Sequence, residues 1–277
     1  MKKLIEELVL KAFQEDIPNK DITTEALEIP ELNGRAQLVA KMDLVISGSD
    51  IFTNCMRFLQ KNTEVKWYFK DGDHVLAGQR LATIIGDLTK IIQVERVALN
   101  FLGHLCGIAN LTQQFVGKVS HTSCKILDTR KTTPTFRLLE KRAVSHGGGT
   151  NHRLNLSDGI LVKENHIALA KGILPLLEKF KKKQISPITI EVKNLEEAKI
   201  ACEYSVKRLL LDNMSNEQMA EIVKIKPPHV ELEASGNMNL ERVTEVADLG
   251  IDYISVGQLT HSAPCADLSL LFEWQDT

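Results

Sequence analysis

From Lys125 onward the sequence keeps one rhythm that few folds accommodate: a short apolar strand closes on polar residues, and an amphipathic helix follows. The strand runs are KILDTRK, GILVKENH, ITIEVK, RLLLDN, HVELEASG and YISVG, and their polar ends fall at Arg130, Lys163, Glu191, Asp212, Ser235 and Gly257. The later repeats are about twenty residues apart, enough for one strand and one helix. Strands alternating with helices imply a parallel sheet. Six such units at regular spacing favour an α/β barrel over a small open sheet. Helix starts are marked by Thr133 before Pro134, Asn194 with Glu197, Ser215 with Gln218, and Asn239 before LERVTEVADLG. Each places a side-chain acceptor or an N1 proline where free N–H groups need one. Gly250 sits where a helix should stop.

The earlier part of the chain reads differently. MKKLIEELVLKAFQED fits an amphipathic helix, with Leu4, Leu8 and Lys11 on one side and Ile5, Val9 and Phe13 close by. RAQLVAKMDLVISG and KDGDHVLAGQRLATIIGD read as strands broken by Asp-Gly and Ala-Gly turns. From Lys90 to Val119 the chain is helical, and IIQVERVALNFLGHLCGIANLTQQF carries charge only at Glu95 and Arg96. A helix this apolar is buried, against a core or a partner subunit. These contrasts predict an N-terminal α/β domain over 1–115 and a barrel over 116–262, with the tail 263–277 returning to the first domain.

Composition narrows the function classes. Hydrophobic residues make up 43% of 277 and the net charge is -2, so the chain has an ordinary core and no basic bias toward nucleic acid. No run approaches the ~18 apolar residues of a membrane span, and Glu6, Glu7 and Lys11 rule out a signal sequence at the start. Five scattered cysteines without a CxxC pair imply free, buried thiols and a cytoplasmic location.

In a barrel of parallel strands the active site lies at the carboxyl ends. Those ends carry Asp128, Thr129, Arg130, Lys131, Lys163, Glu191, Asp212 and Ser235. One strand-end charge means little; several in series point to a site. LDTRKTTP closes a strand with two cations, of which Arg130 offers a planar fork for carboxylate or phosphate. The alternative is a salt bridge to Asp128. HGGGTNHRLNLSD places three glycines before Asn151, His152 and Arg153, a sharp turn that delivers cations to an anion or else a surface loop. Lys163, after GILV, is expected to be partly buried and to need an anion. His166 beside it reads as structural. Glu191 and Asp212, the strong acids at strand ends, could hold Mg²⁺ among substrate phosphates or form salt bridges to Lys163 and Arg130. Ser235-Gly236-Asn237 before a helix and Ser255-Val256-Gly257 after a strand suit backbone donation to a phosphate. The helix 136–146 is expected to turn Arg137, Glu140, Lys141 and Arg142 mostly to solvent.

Taken together, DTRKTTP, EKRAVSHGGGTNHRLNLSDGILVKENHI, the glutamate of IEVKNLEEA, LLLDNM, EASGN and ISVGQLTHS resemble the quinolinate phosphoribosyltransferase family. The resemblance extends to EDIPNKDITT, DGDHVLAGQRLATIIGD and VERVALNFLGHLCGIA, and so covers nearly the whole chain. It implies an N-terminal α/β sandwich domain, an open, incomplete α/β barrel, and a homodimer. It implies a reaction of quinolinate with phosphoribosyl pyrophosphate that yields nicotinate mononucleotide, pyrophosphate and CO2, with Mg²⁺ as cofactor. It assigns quinolinate to Arg130, Lys131, His152, Arg153 and Lys163, counts Thr129 among the substrate-binding residues, and gives the ribose and metal to Glu191 and Asp212. The 5′-phosphate falls near Ser235, Gly236, Asn237, Ser255, Val256, Gly257 and His261, and Arg96 reaches into the neighbouring subunit's site. The catalytic roles fall to Lys131, Lys163, Glu191 and Asp212. The chain departs from the family at Thr135, where glycine is usual, at Gln258, where a small residue is usual, and in EDIPNKDIT. Three rivals remain: a molybdate-transport-associated homologue of the same fold, another phosphoribosyl-transferring or sugar-phosphate barrel enzyme, and a biotinyl or lipoyl carrier suggested by DGDHVLAGQRLATIIG.

Overall fold

Residues 1–204 and 206–273 are described by the structure, a computed structural model. The chain divides into two units. One comprises Met1–Leu111, Ser145–Gly148 and the described residues from Ala263 on; the other comprises Thr112–Val144 and Gly149–Ser262. Of the expected tail, residues 274–277 lie outside the described residues.

The first unit opens with α1 (Lys2–Asp16), which buries Ile5, Leu8, Val9 and Phe13. Leu4 is only half-buried and Lys11 is exposed, so the inner stripe is centred on Ile5 and Val9 rather than on Leu4 and Lys11. Asp21 caps α2 (Ile22–Ala26) by accepting the N–H groups of Thr23 and Thr24. Next come β1 (Asn33–Ala40), β2 (Leu44–Val45), α3 (Ser49–Met56), β3 (Glu64–Trp67), β4 (His74–Val75), β5 (Arg80–Asp87) and the long helix α4 (Leu88–Val119), which belongs to this unit as far as Leu111. β1 pairs antiparallel with β5 and with β12 (Leu268–Glu273), and the sheet order is β12-β1-β5-β3. β3 carries no apolar run in the sequence: EVKW lies half in water at the sheet edge. On α4, Gly107 meets the returning chain so closely that a Cβ would lie 2.0 Å from the Pro264 carbonyl oxygen.

The second unit supplies β6 (Lys125–Leu127), α5 (Arg137–His146), β7 (Ile160–Val162), α6 (Glu164–Leu169), α7 (Ile173–Lys182), β8 (Ile188–Val192), α8 (Leu195–Glu203), β9 (Arg208–Asp212), α9 (Asn216–Ile225), β10 (Glu231–Ser235), α10 (Arg242–Asp248), β11 (Tyr253–Ser255) and α11 (Gln258–His261). α5 continues to His146, past Val144, where the first segment of this unit ends. All six strands pair in parallel in the order β6-β11-β10-β9-β8-β7. The first strand therefore lies beside the last, as barrel closure requires. β6 and β7 are not paired; β6 makes only an isolated bridge, Leu127 to Thr150, on that side. The barrel is open at this seam, in keeping with the open α/β architecture expected from the sequence.

Several caps form as the sequence predicts. Ser215 and Gln218 make a reciprocal box at α9, and Asn194 accepts the Glu197 N–H at α8. Asn239 accepts the N–H groups of Glu241 and Arg242, and Gly250 takes φ 89 after α10. Thr133 does not cap α5: residues 134–136 form a turn, Thr135 has φ 69, and the helix starts at Arg137. No helix among the described residues is long and apolar enough to cross a membrane. The cysteines are free, but only Cys55, Cys106 and Cys124 are buried; Cys202 is half-buried and Cys265 exposed. Burial pushes the thiols of Cys55 and Cys106 up to about 12, so both stay protonated.

Candidate active site

At the carboxyl ends of the six barrel strands lies a cavity of about 890 Å³. Its walls bring together Thr129, Arg130, Lys131, His152, Arg153, Lys163, Glu191, Asp212, Ser235, Gly236, Asn237, Ser255, Gly257 and His261. Most come from a strand end or the loop after it, while His152 and Arg153 come from the segment between α5 and β7 and His261 from α11, so parallel pairing gathers separate strand ends into one ring. Two residues of the expected site are not in the lining. Val256 is 1% exposed and buried beneath it, and Arg96 is exposed on α4 in the first unit.

The cation side is built from Arg130, Lys131, Arg153 and Lys163. Among the described residues none of the four forms an ion pair with a side-chain carboxylate. Burial, and next the Arg130 charge, press the Arg153 guanidinium below its usual range. One of its terminal nitrogens donates to the Gly159 carbonyl at 3.0 Å, while its Nε is buried with no hydrogen-bond partner. Facing cations without chain carboxylates between them are a place for an external anion. Lys163 is exposed rather than partly buried as expected, because β7 borders the open seam and Ile160 itself is 37% exposed. His166 accepts the Lys163 N–H at 2.9 Å through Nδ1, a capping role.

Asp128 is not part of the cavity. It is fully buried and forms an ion pair with the ammonium of Lys141, which also donates to the His152 carbonyl at 2.9 Å. The Asp128 carboxylate accepts the His152 N–H at 2.7 Å. α5 therefore does not turn its charges to solvent: Glu140 and Lys141 are 0% and 3% exposed. Glu140 accepts the Thr133 N–H at 3.1 Å. These inward charges fix the two segments that carry Arg130 and His152. The three glycines serve the same end. Gly148 takes φ 85 at the close of α5, and a Cβ on Gly149 would lie 2.7 Å from side-chain atoms of Thr112 and Val144. The turn hands His152 and Arg153 to the cavity, but its own glycines do not line it.

Glu191 and Asp212 stand on adjacent strands of the same cavity, and Lys163 follows β7, which pairs with the strand of Glu191. Burial first, then the Asp212 charge, push the Glu191 carboxyl above the usual glutamate range. Neither forms the expected salt bridge to Lys163 or Arg130. The third wall holds the two small-residue loops. Gly236 has φ 93, and a Cβ there would meet Asn213 Oδ1 at 2.1 Å, so only glycine lets this loop approach the one after β9. Ser235-Gly236-Asn237 does not sit at a helix start, since α10 begins only at Arg242. Arg242 instead reaches back, donating to the carbonyls of Gly236 at 3.1 Å and Met214 at 2.7 Å. Gln258, one of the departures, lines the cavity and its amide donates to the Met238 carbonyl at 2.7 Å, tying the two loops together.

Glu233 also lines the cavity, a third acid beside the Glu191 and Asp212 that the strand ends predict. It lies inside β10, two residues before Ser235 and so on the same face. A glutamate in a strand interior, flanked by Leu232 and Ala234, is the signal that points to it. Burial alone would raise its carboxyl, but donors from His152, Ser255 and Arg208 outweigh burial and hold it below the usual range.

The sequence matches the models of the quinolinate phosphoribosyl transferase N-terminal domain over residues 21–106 and C-terminal domain over 108–271. It is 35% identical over 268 residues to a probable nicotinate-nucleotide pyrophosphorylase [carboxylating] of Bacillus subtilis, covering 96% of this chain and 92% of that one. It is 38% identical to the protein of the same description from Synechocystis, covering 92% and 88%. The structure superposes on the nicotinate-nucleotide pyrophosphorylase from Francisella tularensis with a TM-score of 0.94 at 35% identity, covering 99% of this chain and 97% of that one.

Proposed function

The chain belongs to the quinolinate phosphoribosyltransferase family, and from that premise we propose how its cavity carries out the family's reaction. The enzyme transfers the phosphoribosyl group of phosphoribosyl pyrophosphate to quinolinate with decarboxylation, a step of de novo NAD biosynthesis. The pyridine nitrogen attacks ribose C1 as the bond from C1 to the pyrophosphate oxygen breaks. The carboxylate next to the nitrogen then leaves as CO2; its bonding electrons stay on the ring carbon, which takes up a proton.

One observation supports the assignment of residues: four cations without carboxylate ion pairs share a single cavity with Glu191 and Asp212. Arg130, Lys131, Arg153 and Lys163 bind and orient the two quinolinate carboxylates, with Thr129 and His152 beside them. Glu191 and Asp212 hold the ribose hydroxyls, and their charge favours the oxocarbenium-like centre that develops at C1. The 5′-phosphate lies against the loops at Ser235–Asn237 and Ser255–Gly257, with His261 near. Positioning and electrostatics supply most of the rate. The donor set fits Mg²⁺, which takes few protein oxygens and fills its shell with water and substrate phosphates. Among the described residues no three or more His, Cys, Asp or Glu side chains are grouped to hold a metal alone, so the ion would join Glu191 and Asp212 together with the substrate. When bound it neutralises charge on the pyrophosphate. Arg96 serves the cavity of a second copy in a homodimer, and free thiols suit a cytoplasmic setting.

A turnover assay with quinolinate and phosphoribosyl pyrophosphate, with nicotinate as control, tests this reading. Arg130→Ala and Lys163→Ala are expected to lose most activity, roughly 100-fold or more, without change in melting temperature. Full activity in either variant would remove that residue from the site, and product from nicotinate alone would overturn the substrate.

A further inference from the structure

Glu233 is buried, with its side chain 2% exposed, yet it forms part of the cavity wall. Three donors from three other parts of the barrel converge on it. The Ser255 hydroxyl on β11 donates at 2.6 Å, Arg208 on β9 donates through a terminal nitrogen at 3.0 Å, and His152 Nε2 lies at 3.4 Å. Arg208 is itself fixed: it donates to Glu231 at 3.0 and 2.8 Å, and its guanidinium lies 3.8 Å from the Tyr253 ring centre. His152 is held at its other nitrogen, where Nδ1 accepts the Arg153 N–H at 2.8 Å. That contact leaves Nε2 as the protonated nitrogen, turned toward Glu233. A buried carboxylate is costly unless its lone pairs are filled, and here the filling groups belong to the site itself.

We propose that Glu233 is a positioning residue for the transfer reaction, holding the His152 imidazole and the Ser255 hydroxyl in fixed places on the cavity wall. The ring then meets quinolinate in one orientation and one tautomer. The Ser255 proton is spent on Glu233, so the phosphate beside it is met by backbone N–H groups rather than by that hydroxyl. Glu233 touches neither substrate; it acts through His152, and the inference rests on the assignment of His152 to the quinolinate side.

A double-mutant cycle on the full-length enzyme tests this, with kcat/KM for quinolinate measured at saturating phosphoribosyl pyrophosphate and a thermal melt as fold control. Glu233→Gln is expected to lose roughly 10- to 100-fold in kcat/KM. Made in a His152→Ala background, the same change is expected to cost less than about 3-fold, because the group it positions is gone. Equal losses in both backgrounds would mean a general structural role and overturn the proposal. Should Glu233→Gln fail to fold, Glu233→Asp, which keeps the charge but withdraws it by one methylene, takes its place in the cycle. Failure of both to fold would make Glu233 a structural residue and equally overturn it. A His152→Ala enzyme of full activity would remove His152 from the quinolinate site, and the proposal with it; a weakened His152→Ala with additive losses overturns the positioning role alone.

Discussion

Thr135 holds a left-handed backbone, φ 69, that a β-branched side chain resists. The family usually has glycine there, and the turn of residues 134–136 between the Arg130 strand end and α5 explains why. Left-handed conformation costs roughly 1–2 kcal/mol for a residue with a Cβ, and glycine gives back about 0.5–1 kcal/mol through the unfolded chain. Thr135→Gly is therefore expected to raise stability by about 0.5–1 kcal/mol, a melting temperature higher by about 1–3 °C. A lower melting temperature would show that contacts of the threonine outweigh the strain. Glu191 carries strain of another kind. Its carboxyl is raised by burial and by Asp212, so the folded state binds that proton more tightly than the unfolded chain. Stability then falls as pH rises through the window from the ordinary value of about 4.3 up to the raised one, and the penalty is complete above that raised value. Glu191→Gln is expected to melt above the wild type at neutral pH, with the gap closing below about pH 4, and to lose transfer activity. Melts at the two pH values check this; a variant that melts lower at neutral pH contradicts it.

At the scale of elements, the order of the site depends on the buried pair between β6 and α5. Burial pushes the Asp128 carboxyl up and the Lys141 ammonium down, each toward its neutral form, and the pair holds because each offsets the other. Lys141→Ala would leave Asp128 buried without its cation, at a cost of about 3–5 kcal/mol. Denaturant unfolding measures that loss; a change under about 1 kcal/mol would mean that water or another cation fills the gap. The sequence could not assign this pair. Asp128 and Arg130 both follow KIL, and Lys141 has the helical spacing of a surface lysine. Only the packing of α5 against the end of β6 separates the structural acid from the cations that line the cavity.

For the whole molecule, the exposed Arg96 leads to a test of assembly. If it completes a second copy's cavity, Arg96→Ala and Lys163→Ala will each be inactive alone, yet co-expression will restore about one quarter of wild-type activity. That fraction follows from half of the dimers being mixed, each with one intact site. No recovery would place Arg96 outside the partner's site. Much of the molecule was legible in the chain. Six apolar runs with polar ends, their helix caps and the Thr-Arg-Lys, Asn-His-Arg and Lys-Glu-Asn-His segments determined a parallel barrel, the end at which its cavity lies, and most of the residues that line it. Those features are local, set by strand and helix periodicity. Tertiary structure alone decided that Asp128 and Lys141 pair inside while Lys163 stands in the open, that β6 closes on β11 and leaves a seam at β7, and that Glu233 faces the cavity beneath His152. Burial and partner choice arise from segments distant in sequence, and no local pattern records which of two like charges will find its counter-ion.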